Sequence, residues 1–141
     1  MKKTLVLLLA LFALVAIAGA QSLTQNSYYQ KSVQLKAMAD AAFEEGDYDA
    51  AADYAAQSQE YARLSDEYVA RMLAIAAADD SIKTANEKLA WAERVQAPRR
   101  FAEDYQAASG ALASAKAFYA QENYDEAKSE ADRVPFLLMD V

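Results

Sequence analysis

The sequence predicts an all-α protein, on three observations. Alanine dominates its 141 residues, and only three glycines and two prolines interrupt them. Alanine has the best helix propensity, and the β-branched residues that strands favour are few. Large apolar side chains recur every seven positions at Tyr54, Tyr61, Tyr68, Ile75, Ile82 and Leu89, the mark of one helix face. Finally, the segment Phe43–Ala55 returns at Tyr119–Ala131, seventy-six positions on, sharing Tyr-Asp-x-Ala-x-x-x-Ala preceded by Asp47 or Asn123. Each copy closes an alanine-rich helix, turns at a small or polar pair, and opens a new helix at Asp or Asn, whose side-chain oxygen accepts from first-turn N–H groups. The chain reads as antiparallel helical hairpins sharing one long central helix.

Residues 1–20 read as a signal peptide. Lys2 and Lys3 form a positive start, Leu5 to Ile17 an apolar stretch, and Ala18-Gly19-Ala20 a small-x-small cleavage pattern before Gln21. The apolar run is shorter than the roughly 20 residues a spanning helix needs, so no stable membrane insertion is expected after removal. No cysteine follows the cleavage pattern, which excludes a lipid-anchored lipoprotein. The simple signal looks bacterial; a periplasmic location is expected, with secretion as the alternative. Exported proteins often rely on disulfides, but this chain contains no cysteine, so packing alone must stabilise it. Losing Lys2 and Lys3 takes the formal net charge from −7 to −9. Such acidity argues against nucleic acid as a partner, because neutralising phosphates needs clustered cations.

Residues 21–141 form the expected helical hairpin domain. Helix one is predicted from about Ser22 to Glu45, presenting Tyr28, Leu35, Met38, Ala39 and Ala42. After the Gly46-Asp47 corner, Tyr48 to Ala97 holds no Gly or Pro. Its seven-residue phase survives Asp79-Asp80-Ser81, so it reads as one helix of roughly 70 Å at about 1.5 Å per residue; a break near Asp80 or Ser81 is the alternative. Pro98 suits a first helical turn, and the helix beyond it presents Phe101, Tyr105, Ala108, Leu112, Ala115 and Tyr119. The last helix is predicted to start at Tyr124 and stop before Pro135. The apolar tail Val134–Val141 is expected to fold back over the last hairpin, since clustered apolar side chains normally find a partner; the stub of a linker to a further domain is the alternative.

The corners resemble the tetratricopeptide repeat (TPR). Ala39 takes the small position on the first helix, Gly46-Asp47-Tyr48 the turn, and Ala51 the first small contact, while Ser58 stands where a second alanine is usual. The second corner keeps Tyr124, Ala127 and Ala131 but has Glu122 in place of the turn glycine. The spacing of seventy-six residues departs from the regular 34-residue repeat. A second resemblance, carried by Tyr28–Val69 and Ala85–Val134, is to the helical region of uncharacterised bacterial envelope proteins of spirochaete type, several of which carry a C-terminal LysM peptidoglycan-binding domain. It implies an envelope location and a helical scaffold; this sequence runs to Val141 and no LysM domain is carried over.

With no His and no Cys, an imidazole base, a thiolate nucleophile and the common kinds of zinc site are missing, and neither catalysis nor a cofactor is expected. Asp47, Asp49 and Asp53 lack the glycine-centred loop of a calcium site and read as helix caps and dipole partners. Ser81-Ile82-Lys83 and Ser114-Ala115-Lys116 point serine and lysine apart on a helix, unlike a catalytic dyad. The candidate partner-binding residues are Tyr54, Tyr61, Tyr68, Trp91, Arg94, Arg99 and Arg100. The tyrosines are expected to form a buried seam between two helices, with a groove for an extended peptide or glycan, Tyr28, Tyr29 and Tyr48 nearby, as the alternative. Trp91 lies off the stripe, and the arginines concentrate positive charge around Pro98 in an acidic chain. The reading is an exported non-enzymatic binding or scaffolding module of the bacterial cell envelope, its partner an envelope protein or peptidoglycan. The alternative is a structural or assembly protein that self-associates through its long helix.

Overall fold

The computed structural model describes residues 23–141; the predicted signal peptide lies outside them. The fold is all-α, with α1 at Ser27–Glu44, α2 at Tyr48–Arg94, α3 at Ala97–Arg100, α4 at Ala102–Ala120 and α5 at Tyr124–Leu137, and no strand among the described residues. The described residues divide into two compact units, with the boundary between Ala70 and Arg71 inside α2. The helix α2 is unbroken through Asp79-Asp80-Ser81.

In the first unit α1 and the start of α2 form an antiparallel hairpin. α1 begins at Ser27 rather than near Ser22, because Asn26 caps it: its side chain accepts from the Tyr29 N–H at 3.1 Å and donates to Ser65 Oγ at 2.9 Å. Midway, the Ser32 hydroxyl donates to the Ser58 carbonyl at 2.9 Å and the Ser58 hydroxyl to the Ser32 carbonyl at 2.8 Å. Two hydroxyls reach across to backbone only when the helices approach closely. That explains Ser58 in the place of the second small residue. The contact line runs through Ser32, Leu35, Ala39 and Ala42 on α1 and through Ala51 and Ser65 on α2, all buried.

The second unit is a three-helix core. The α2 residues Ala85, Leu89 and Ala92 pack with Ala108, Ala111, Leu112 and Ala115 of α4 and with Ala131 and Val134 of α5. Here too the innermost line is alanine, since Ala78, Ala85 and Ala92 have no exposure, and the large residues Ile82 and Leu89 sit one turn to the side. A polar ladder at seven-residue spacing fastens α2 to α4. Asp79 accepts from the Tyr119 hydroxyl, Asn86 Oδ1 from Lys116 Nζ at 3.0 Å, and Glu93 from the Tyr105 hydroxyl at 2.7 Å.

Both corners share one backbone design. The Asp47 N–H reaches the Ala42 carbonyl at 2.9 Å and the Gly46 N–H the Phe43 carbonyl at 3.1 Å; the Asn123 and Glu122 N–H groups reach Phe118 and Tyr119 at 3.0 Å each. These are paired helix-ending bonds of the Schellman type, with Gly46 at φ 80° and Glu122 at φ 62° in the left-handed region. An edge-on aromatic pair closes each, Phe43 on Tyr48 and Tyr119 on Tyr124, both at 5.2 Å between centroids. One expectation fails at the second corner. Asp47 Oδ1 caps α2 by accepting from the Ala50 N–H at 3.1 Å, but the Asn123 side chain makes no capping bond.

Two further boundaries differ from the sequence reading. A single turn, α3, carries Pro98 near its start and ends at Phe101, where φ −135° and ψ 54° break the path before α4. α5 does not stop before Pro135 but runs through it to Leu137. Proline in a last turn removes one N–H near a solvated end, and burying Val134 and Leu138, one turn apart on the core, outweighs that loss. The apolar tail reaches the core by continuing α5 and its last turn rather than by folding back: Leu138 is buried and Leu137 and Val141 pack on the core, whereas Phe136 stays 73% exposed.

Candidate functional site

The tyrosine stripe is not the contact seam. On α2 the seam runs at seven-residue intervals through Ala51, Ser58 and Ser65. Tyr54, Tyr61 and Tyr68 follow those residues by three, and Ala55, Ala62 and Val69 by four, so the two rows flank the seam on opposite sides. Helices held together by small residues leave no room for a phenol in the contact line. Tyr54 and Tyr61 are therefore half-buried, and Tyr68 is 37% exposed, its ring 6.2 Å from that of Tyr28. The structure brings these three tyrosines onto one flank of the first hairpin with Tyr28.

More aromatic surface lies elsewhere on this hairpin, at Tyr29 and Tyr48, which the groove alternative placed near the stripe, and at Phe43, which the sequence reading did not single out as a binding residue. Phe43 is 63% and Tyr48 64% exposed at the corner, and Tyr29 44% exposed along α1. Their signal was present in the repeat: Tyr29, Phe43 and Tyr48 precede Tyr105, Tyr119 and Tyr124 by seventy-six positions. In the second unit those three are only partly exposed, because α2 covers them.

Trp91 belongs to the other unit. It stands on the face of α2 turned away from Ala85, Leu89 and Ala92, partly exposed, with Lys88 Nζ 5.6 Å from its ring. Thr84, Glu87 and Lys88 complete a shallow notch around it. Arg94, one turn on, ends α2, while Arg99 and Arg100 end α3, all three exposed. Arg99 lines a second shallow notch with Glu93, Gln96 and Pro98, and the Arg100 guanidinium lies 5.6 Å from the Phe101 ring.

Several acidic residues are engaged by neighbours within the fold. Asp47 caps α2, and Asp53 accepts from Gln57 at 3.0 Å. Glu60 is held below the usual carboxylate range by its hydrogen bond from Arg63, which outweighs burial. At Asp132 burial pushes the pKa up, but hydrogen bonds from Lys128 and Ser81 outweigh it and leave the carboxyl lowered. The Tyr105 and Tyr119 phenols are raised, chiefly by donating to Glu93 and Asp79. Among the described residues no helix is long and apolar enough to cross a membrane.

Treponemal membrane protein B of Treponema pallidum (strain Nichols) is 27% identical to this chain over 121 residues, covering 84% of the chain and 37% of that protein. The chain thus spans little more than a third of the relative's length. No family profile and no solved structure matches it.

Proposed function

We propose that this chain is an exported, non-enzymatic helical module that binds a partner in the bacterial cell envelope, working from the periplasm. The observation that carries the reading is the aromatic surface of the first hairpin, where Phe43 and Tyr48 are each more than three-fifths exposed on a hairpin held together by small residues. Tyrosine offers a stacking face and a hydroxyl to protein or glycan alike. The pattern of residues 1–20 supports export, and the membrane-protein name of the relative supports an envelope setting. The lack of His and Cys supports binding over catalysis.

The test is retention of the exported protein on purified peptidoglycan and on envelope protein extract. Retention that falls with Tyr48→Ser and Phe43→Ser at unchanged melting supports the reading; indifference to both materials ends it. Sedimentation velocity across concentration addresses the structural alternative, which requires an oligomer that buries the same aromatics.

A further inference from the structure

The internal repeat identifies what the open flank of the first hairpin accepts, an inference that rests on the binding reading above. In the second unit, the α5 residues Ala131 and Leu138 are buried in the cluster that contains the α2 stripe Ala85, Leu89 and Ala92. Seventy-six positions earlier, those two places are Ala55, which is exposed, and Ala62, which is half-buried. On α4, Leu112 lies in the same cluster and Tyr105 packs against it, while Tyr119 reaches α2 at Asp79. Their counterparts Tyr29, Lys36 and Phe43 are all exposed. The two hairpins share a corner and a seam, but among the described residues of the first unit no third helix lies over it.

We propose that this flank docks an alanine-rich amphipathic helix of a partner protein, laid across the first hairpin as α2 lies across the second. Charge complementarity fixes what it carries. Lys116, which donates to Asn86, is replaced by Asp40. Tyr119, which donates to Asp79, is replaced by Phe43, while Tyr105, which donates to Glu93, is kept as Tyr29. The docking helix therefore bears a cation where α2 has Asn86, an apolar residue where α2 has Asp79, and an acceptor where α2 has Glu93. Asp40 already pairs with Lys36 at 3.5 Å, but both side chains are at least 70% exposed, so an incoming cation meets a carboxylate that water still screens. A second copy of this chain does not offer this stripe, because its own Ala85, Leu89 and Ala92 are buried in its own core.

The probe is a labelled peptide with the sequence of residues 78–94 carrying Asp79→Leu and Asn86→Lys, titrated into the exported protein and read by anisotropy. It should saturate at one peptide per chain and bind about tenfold tighter than the unsubstituted peptide, the equivalent of one well-placed contact. Ala55→Glu in the protein should weaken it by about tenfold or more, as a charge placed in a docking face does, with an unchanged melting curve. Asp40→Lys, also at an exposed position, should reverse the preference between the two peptides. No saturation, equal affinity for both peptides, or indifference to Ala55→Glu and Asp40→Lys overturns the proposal. So does a dimer that Ala55→Glu converts to monomer, since the occupant would then be a second copy. A protein that ignores both peptides yet stays on envelope material would sink the docked helix and leave the binding reading standing.

Discussion

Gly46 and Glu122 hold the same left-handed turn position, seventy-six residues apart, at φ 80° and φ 62°. The first is the residue the conformation suits. The second adopts it with a side chain attached, and its carboxylate reaches Arg71 at 2.9 Å.

Exchanging these residues should therefore act in opposite directions. A Cβ at Gly46 would meet nothing within 4 Å, so Gly46→Ala tests backbone strain alone and should cost roughly 1 to 2 kcal/mol. Glu122→Gly should raise the denaturation midpoint, because relief of the same strain exceeds the loss of an exposed ion pair. Urea titration of both variants checks the pair. A stabilised Gly46→Ala would refute the shared turn.

Ser32 and Ser58 clasp two helices through each other's carbonyls, and each hydroxyl should contribute about 1 kcal/mol. Ser32→Ala and Ser58→Ala should each lower stability by that order. Because the two residues share one geometry, the double variant should lose less than the sum, with coupling on the order of 0.5 kcal/mol or more. Additive losses in urea unfolding would mean the helices are positioned by something else.

Ala131 has no exposure, whereas its repeat partner Ala55 is exposed. Ala131→Leu should overpack the three-helix core and cost roughly 1 to 3 kcal/mol, while Ala55→Leu should stay within about 0.5 kcal/mol of the parent. Thermal melts of the two variants compare the covered and uncovered hairpins directly. Equal destabilisation would show that the first hairpin is covered as well.

Tyrosine truncation should be milder than burial in a seam would make it. Fully buried aromatics cost roughly 3 to 5 kcal/mol when cut to alanine. Half-buried Tyr54 and Tyr61 should lose about half of that, and Tyr68, 37% exposed, less still. A loss at Tyr68 as large as at a core aromatic would restore the seam.

Stability should fall at both ends of the pH scale. The Asp132 pKa is depressed in the folded state, so its contribution is present above the ordinary aspartate value near ~4. It is lost as pH falls through the lower folded value, and Lys128→Met should shrink that acid limb. The Tyr105 and Tyr119 pKa values are raised, so their contribution is complete below the ordinary phenol value near ~10. It disappears as pH rises through the folded values. Replacing both by Phe should flatten the alkaline limb in a plot of Tm against pH.

The helices and the repeated corner were legible in the sequence because alanine content, the seven-residue period and Gly46-Asp47 act locally. The seam was misread for a physical reason: a hydropathy period marks large side chains, while closely packed helices meet on small ones, here Ala51, Ser58, Ala78, Ala85 and Ala92. Pro135 read as a stop because its chemistry is local, whereas the burial of Val134 and Leu138 that carries α5 through it is tertiary. Trp91 was placed off the stripe, as found. The exposure of Phe43 and Tyr48 was not legible, since identical repeat positions are covered in one hairpin and open in the other.

Among the large side chains of the described residues only Val134 is fully buried, and the rest of the fully buried core there is alanine. Unfolding such an interior brings comparatively little apolar surface into water, so the heat-capacity increment should fall below the usual ~12–15 cal/mol/K per residue. A small increment makes the stability curve shallow. The protein should hold nearly constant stability over a wide span of temperature, and its cold-denaturation limit should lie far below freezing.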